Sequence, residues 1–375
     1  MTITMEDLNE KINQEYEKYK EDVKKPNVLI IGGTGVGKSS LINTIFGKDL
    51  AVVGEGKPVT ESMNVYRSEE VPVVLYDTVG YEIGSENQAS FLNNVVKYAA
   101  DNNSKKVEER IHIVWYCIDA SSHRLHDIDK SVIKQLNDTD IPVAIVFTKS
   151  DLVSEEDSEL MKRACKDAGL INEIFETINE ELPELGFMDL NKLVNWTIAN
   201  LPQGLRTAFI SAQKLDLNAK REEAKKVILQ HSSGAAIVGA SPIPFSDAPI
   251  LLANQAGMFA RIVFIYDMRS SLSSIKSLVG SLGIGTLIST SGIWVVGQLL
   301  KLVPGFGTIG GAMITGSVAS GITAAIGFGV SEVCYRLNEY TLNGDHGGLK
   351  KFIENLDQFF KEFVINTFVN LKKEK

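Results

Sequence analysis

Ile3, Met5, Leu8, Ile12, Tyr16, Tyr19 and Val23 recur among charged residues at spacings of about three to four after the first pair, which predicts one apolar stripe on a helix within residues 1–25. Such a helix either docks on the body of the protein or meets a partner or a membrane. From Pro26 the period changes. Asn27–Ile31 is a short apolar run ending in Gly32-Gly33, the pattern of a buried strand and a tight turn. Val71–Tyr76, Ile111–Ile118, Val143–Phe147 and Thr207–Ile210 predict further strands, with helical patterns at Lys38–Phe46, Asp127–Leu136 and Ser158–Ala168. Strands alternating with helices predict an α/β domain over residues 26–215, a mostly parallel sheet with helices on both faces. In such sheets a ligand sits beyond the carboxyl ends of the strands.

Residues 216–375 read as a separate, all-α, glycine-rich helical domain. Ser277–Leu300 and Leu302–Ser331 carry no charge, and each is long enough at about 24 and about 30 residues to cross a bilayer as a helix. Pro304 and Gly305 break the hairpin at 277–331. Ala312, Gly316, Ser320 and Ala324 repeat at i+4, as do Ser317, Gly321, Ala325 and Gly329, so helix backbones can approach closely. Two readings stand: membrane association, or a buried hairpin inside a soluble bundle, which would also lack charge. Leu349, Phe352, Ile353, Leu356, Phe359, Phe360, Phe363, Val364 and Phe368 predict an amphipathic helix at 348–372, packed on the bundle or free for an interface.

Composition narrows the function classes. The chain has 375 residues and a net charge of −9, which argues against nucleic-acid binding by bulk electrostatics. Its three cysteines, Cys117, Cys165 and Cys334, are widely spaced and form no Cys/His cluster, so neither a disulfide framework nor a zinc site is expected. The first 25 residues are too charged for a secretory signal, and a cytoplasmic location is expected, with membrane association as the hairpin's alternative.

The chemistry lies in an ordered set of motifs. Gly32-Gly33-Thr34-Gly35-Val36-Gly37-Lys38-Ser39 fits G-x-x-x-x-G-K-[ST] between a strand and a helix that continues through Ser40. Its backbone N–H groups and helix N-terminus suit a polyphosphate, Lys38 the β- and γ-phosphates, and Ser39 a Mg²⁺ ion. Asp77-Thr78-Val79-Gly80 places Asp77 to hold Mg²⁺ and Gly80 to approach the γ-phosphate. Thr60, in a loop-like stretch between these motifs, is the candidate threonine that closes on Mg²⁺, with Thr78 or Ser62 as substitutes. Thr148-Lys149-Ser150-Asp151 fits T/N-K-x-D. The Asp151 carboxylate would accept from N1–H and the exocyclic amine of guanine, donors that adenine lacks there. Ser211-Ala212-Gln213, read as the loop after a strand at Thr207–Ile210, is the candidate for a last guanine contact. The cofactors implied are GTP or GDP with Mg²⁺. His112 reads as a packed histidine. His123, His126, Asp127 and Asp129 read as a solvated loop, and Glu155, Glu156 and Asp157 as a solvated helix start. His123 or Arg124 has a second reading, facing a partner's nucleotide.

Residues 26–215 resemble the Era-like branch of translation-factor-class P-loop GTPases. Within it, Gly-Gly-Thr-Gly-Val-Gly-Lys-Ser-Ser-Leu-Ile-Asn is similar to septins, immunity-related GTPases and chloroplast-import receptor GTPases. The resemblance implies GTP binding and hydrolysis, with Lys38, Thr60 and Gly80 at the reacting phosphate, and for several relatives association through the nucleotide faces, here a homodimer. Tyr81 stands where Ras-like proteins place a Gln that orients water, which implies slow intrinsic hydrolysis. Gly35 stands where some relatives place a potassium-recruiting Asn, so that site is not expected. Residues 220–375 resemble a helical domain of unknown function found behind some Era-like GTPases. The likeness rests on residues 234–249 and on Gln255, Met258 and Arg261.

Overall fold

The computed structural model describes residues 5–47, 57–60, 63–67, 73–78, 88–101, 105–182, 186–238, 248–268 and 316–373. The chain forms two compact units. One is Val23–Asp216. The other is assembled from both ends, Met1–Asp22 together with Leu217–Lys375. Helix α1 (Met5–Asp22) therefore belongs with the C-terminal helices.

The Val23–Asp216 unit opens with β1 (Asn27–Ile31) and α2 (Lys38–Phe46), followed by β2 (Lys57–Thr60), β3 (Met63–Arg67), β4 (Val74–Thr78) and α3 (Gln88–Ala100). Then come β5 (Ile113–Asp119), α4 (Asp127–Asn137), β6 (Val143–Thr148) and α5 (Glu155–Asp167). It closes with β7 (Ile174–Leu182), β8 (Gly186–Met188), α6 (Leu190–Asn200) and α7 (Gln203–Ala212). The eight strands lie in the order β2-β3-β4-β1-β5-β6-β7-β8. The middle five, β4 to β7, are parallel, and the outer pairs are antiparallel.

Both faces of the sheet are covered, and the period-2 alternation of the strands divides the core in two. Leu29, Ile31, Val114, Tyr116, Ile145 and Phe147 face α3, α4 and α5. Val28, Ile30, Ile113, Trp115, Ala144 and Val146 face α2, α6 and α7. Trp115 is the hub of the second face. It stacks on Phe46 at 6.2 Å, meets Phe209 edge-on at 6.4 Å, and its indole N–H donates to Thr197 Oγ1 at 3.1 Å.

Those contacts overturn one strand expectation. Thr207–Ile210 is not a strand but lies inside α7. Leu205, Ala208, Phe209 and Ala212 are buried at i, i+3, i+4 and i+7, a helical face packed on α2. The parallel strand beyond β6 is instead β7, which the sequence hides because its apolar residues, Ile174, Phe175, Ile178 and Leu182, are scattered among polar and acidic neighbours.

In the helical unit, α8 (Leu217–Val238), α9 (Ala248–Ile265), α10 (Gly316–Leu342), α11 (His346–Glu354) and α12 (Leu356–Lys373) follow. α1 docks on α9, with Tyr16 and Tyr19 against Phe264 at ring distances of 6.2 and 5.2 Å. α10 is central, packed on α8, α9 and α12. Its glycines make that approach possible. A Cβ at Gly329 would lie 2.5 Å from Val364 Cγ2 and 2.9 Å from Phe360, and one at Gly327 2.9 Å from Met258 Sδ. Arg221 pairs with Glu332 at 2.8 Å, and the Tyr266 hydroxyl meets Ser331 Oγ at 3.0 Å.

In the part of the apolar hairpin that α10 contains, the lack of charge thus matches burial against neighbouring helices: Ile322, Ala324, Ala325, Ile326 and Val330 are all buried. Residues 277–315 lie outside the described residues. Among the described residues no helix is long and apolar enough to cross a membrane. The stripe expected as one helix at 348–372 is two, α11 and α12, divided at Asn355. Leu349, Ile353, Leu356, Phe360, Val364 and Phe368 are its buried side.

Candidate functional site

β1 ends in a loop that only glycine can follow at two points. Gly35 and Gly37 have φ of 76° and 96°, left-handed values at which a side chain is strained. Gly32 is closed for another reason: a Cβ there would stand 2.5 Å from the Cys117 carbonyl of β5. Helix α2 starts at once, with no side-chain cap and no acidic residue in its first turn. Helix α5 has both, a Ser154 cap accepting from Asp157 N and three acids in the first turn. The N-terminal N–H groups of α2 are therefore left with an uncompensated positive field. The Lys38 ammonium adds to it. That residue is 7% exposed, and its Nζ donates to the Gly32 and Gly33 carbonyls at 3.1 and 3.0 Å. A buried cation held, among the described residues, by loop carbonyls alone, at an uncapped helix start, fits a polyphosphate. Thr34, Gly35, Ser39 and Ser40 are exposed at this end, Gly33 is buried, and Val36 is half-buried.

The second motif reaches the same loop. Thr148 ends β6 with its hydroxyl donating to Val36 O at 2.5 Å, and it lies 3.2 Å from Ile118 O. Thr148 thus braces one loop against the other. Lys149 adopts φ 55°, and its Nζ meets Asp119 Oδ2 at 2.6 Å. Ser150–Leu152 form a short 3-10 turn in which Asp151 is exposed.

Ser211 and Ala212 do not join this edge. They end α7 and are buried, and the chain just beyond them is fixed by Lys214 N donating to Ile45 O at 2.8 Å. Ile45 lies seven residues along α2 from Lys38, about 10 Å down its axis, so this segment belongs to the opposite end of the helix. The segment that does lie beside the Thr148–Asp151 turn is Glu176–Thr177 of β7. Glu176 is in register with Phe147, and Thr177, fully buried, donates to Phe147 O at 3.1 Å, the carbonyl that Ser150 Oγ also uses. Reading the i, i+3, i+4 periodicity of α7 would have removed the false strand and left this one.

On the other side, Asp77 lies in β4 in register with Ile30, two residues before Gly32, and with Asn64 of β3. Thr60 ends edge strand β2 rather than a loop. It pairs with Met63, which pairs with Thr78. Two strand spacings put its backbone about 10 Å from β4. Gly80, Tyr81 and Ser62 lie outside the described residues.

His112 and His126 hold structural places. His112 Nδ1 accepts from Asn27 N at 2.9 Å, and burial pushes its pKa down. His126 and Asp129 are a helix start rather than a solvated loop. Asp129, buried, accepts from His126 N at 3.1 Å and from the Tyr116 hydroxyl at 2.8 Å. Among the described residues no cluster of three or more His, Cys, Asp and Glu could hold a metal ion.

This uncapped, lysine-bearing loop, tied to a Thr-Lys-x-Asp turn on the carboxyl edge of a parallel sheet, defines a P-loop GTPase domain of the Era-like, translation-factor class, whose members bind GTP and GDP with Mg²⁺. Residues 27–149 match the family described as 50S ribosome-binding GTPase, and residues 205–362 match a domain of unknown function, DUF697. The chain is 30% identical over 165 residues to GTPase Era of Leuconostoc citreum (strain KM20), covering 42% of this chain and 52% of that protein. It is 25% identical over 181 residues to GTPase Era of Alkaliphilus metalliredigens (strain QYMF), covering 47% and 56%. The chain spans about half the length of the curated relatives it matches. Similar solved structures include Era in complex with MgGDPNP and a 16S ribosomal RNA fragment, at TM-score 0.35 and 18% identity over 56% of this chain and 67% of that one. Toc33 from Arabidopsis thaliana in complex with Mg²⁺ and GMPPNP is another, at TM-score 0.33 and 19% identity over 51% and 90%.

Proposed function

We propose that this protein is a GTP-binding and GTP-hydrolysing switch whose nucleotide state sets the behaviour of the helical unit. The observation that carries the reading is the hydroxyl of Thr148 on Val36 O, which joins the anion-binding start of α2 to the turn bearing Asp151. In this reading residues 33–40 hold the phosphates, with Lys38 on the β- and γ-phosphates. Ser39, Thr60 and Asp77 hold Mg²⁺, and Gly80 approaches the γ-phosphate. Thr148, Lys149 and Asp151 hold guanine, and the chain after Glu176 takes the place first assigned to Ser211 and Ala212. Purified protein with Mg²⁺ is expected to bind fluorescent GDP, displaced by GTP but not by ATP; displacement by both nucleotides alike overturns the guanine reading.

Tyr81 in place of a water-orienting Gln gives slow intrinsic turnover. Dilute monomer is expected to hydrolyse bound GTP slowly in single-turnover assays; rapid hydrolysis there removes the need for a group from a second subunit. The helical unit takes its chain from both sides of the GTPase unit, through the joins at Asp22–Val23 and Asp216–Leu217. A loop ordered by a γ-phosphate then acts on a unit tethered twice.

A second reading has GTP stabilise a homodimer through the nucleotide face, with turnover incidental. It is favoured by Arg124, exposed on the segment after β5 with no carboxylate partner among the described residues. A GTP analogue, but not GDP, is then expected to shift the oligomer state, and Arg124→Ala to abolish the shift. Membrane attachment through the apolar hairpin at 277–331 is a further element of the proposal. Co-flotation of the intact protein with liposomes supports it, and a protein that stays in the soluble fraction with and without vesicles removes it.

A further inference from the structure

Asp119, at the carboxyl end of β5, takes part in no motif read from the sequence, yet it holds the Lys149 side chain, two residues before Asp151. Its Oδ2 meets Lys149 Nζ at 2.6 Å. Its Oδ1 accepts from Ser121 N at 2.9 Å and from Ser121 Oγ at 2.6 Å. An exposed ion pair contributes little, because two long side chains lose freedom to form it. This pair differs in three respects. The Asp119 side chain is four-fifths buried. It is fixed from behind by two hydrogen bonds from Ser121. Lys149 is launched from a left-handed backbone, φ 55°, that aims it across the edge. Burial pushes the Asp119 carboxyl up, but Lys149 and Ser121 outweigh it and hold it below the usual carboxylate range.

We propose that Asp119 is a positioning residue for guanine recognition: braced by Ser121, it fixes the Lys149 ammonium so that the lysine stem forms one wall of the base pocket before nucleotide arrives. The segment Ala120–Leu125 thereby governs how tightly guanine is held. Ala120–Ser122 is a 3-10 turn whose cap is Asp119 itself, so a partner that grips His123 or Arg124 and unwinds that turn releases Lys149 and loosens the base. Regulation of this kind acts on nucleotide release and leaves the phosphate chemistry intact. The inference rests on the guanine-nucleotide reading of the site.

The test is a double-mutant cycle on the full-length protein, read by release of fluorescent GDP. Asp119→Asn and Lys149→Met are each expected to speed release and raise Kd about 10- to 30-fold, and the double variant to be no worse than the weaker single one. Ser121→Ala shifts the same way by a smaller factor. For Asp119→Asn and Ser121→Ala, single-turnover GTP hydrolysis at saturating nucleotide stays within about twofold while KM rises, a split that general misfolding would not give. The inference is overturned if Asp119→Asn releases GDP at the parental rate, or if the two single effects multiply in the double variant. Asp151→Asn is run in parallel to separate the two failures. If the parent protein binds no GDP, the guanine reading itself falls. If the parent binds and Asp151→Asn does not, a neutral Asp119→Asn refutes the positioning role alone.

Discussion

Asp151→Asn is expected to weaken GDP and GTP binding by roughly 10²–10³-fold and to move the preference of the site toward xanthosine nucleotides. The exposed carboxylate of Asp151 stands on the 3-10 turn that Thr148 ties to the phosphate loop, so its position relative to the phosphates is set before ligand arrives. A carboxylate offers acceptors only, and guanine presents two donors along that edge, N1–H and the C2 amine. Asparagine keeps one acceptor but turns an NH₂ toward the guanine amine, so one good pair becomes a donor–donor clash with both groups desolvated. Xanthine has a carbonyl at C2 and keeps N1–H, so the amide matches it. The phosphate contacts proposed for Lys38 lie outside this change, so total affinity for xanthosine diphosphate should approach that of the parent for GDP. Competition titrations with the two diphosphates decide the matter. A variant that still binds GDP within a few-fold of the parent would mean that Asp151 does not read the base.

The parts of this site that were legible in the sequence are those where backbone geometry constrains residue type. Gly35 and Gly37 sit at left-handed φ, Gly32 is closed by the Cys117 carbonyl, and Lys38 opens α2, so the loop announces itself in letters. The strands that carry the loops were equally plain where both faces are buried, as in Val28–Ile31 and Val143–Phe147. Legibility failed where tertiary packing decided. Ala208, Phe209 and Ile210 make an apolar run that fits a strand by composition, yet Phe209 is drawn into the cluster around Trp115 on a helical face. β7 carries Glu176, Asn179, Glu180 and Glu181, so it lacks an apolar run; part of its stability comes from Lys162, which pairs with Glu176 at 2.6 Å across from α5. β2 and β3 escaped for the same reason: neither Lys57–Thr60 nor Met63–Arg67 carries a continuous apolar run. Asp119 was invisible because its role depends on a residue 30 positions away, an ion pair that no local pattern encodes.

Phe360→Ala carries the second large effect, a loss of about 3–5 kcal/mol in the stability of the helical unit, because it removes a fully buried ring from the seam between α10 and α12. The seam is specific in shape. Gly329 leaves no room for a methyl group against Val364 and Phe360, so the ring fills the space that the glycine vacates. The helices cannot close over the gap, since α10 is also held by Arg221 on Glu332 and by Tyr266 on Ser331. Phe363→Ala, on the half-buried side of the same helix, is the matched control and is expected to cost under about 1 kcal/mol. For a unit of this size the difference is a fall in melting temperature of roughly 10 °C against a change near zero, resolved by scanning calorimetry of the detergent-free protein. The comparison also separates the two readings of the charge-free run through Ser331. Packing in a water-soluble bundle makes the melt depend on Phe360 and on Gly329→Val, whose added bulk meets backbone-anchored side chains. A run that left the bundle for a bilayer would have neither side chain at a protein seam, and both variants would melt with the parent.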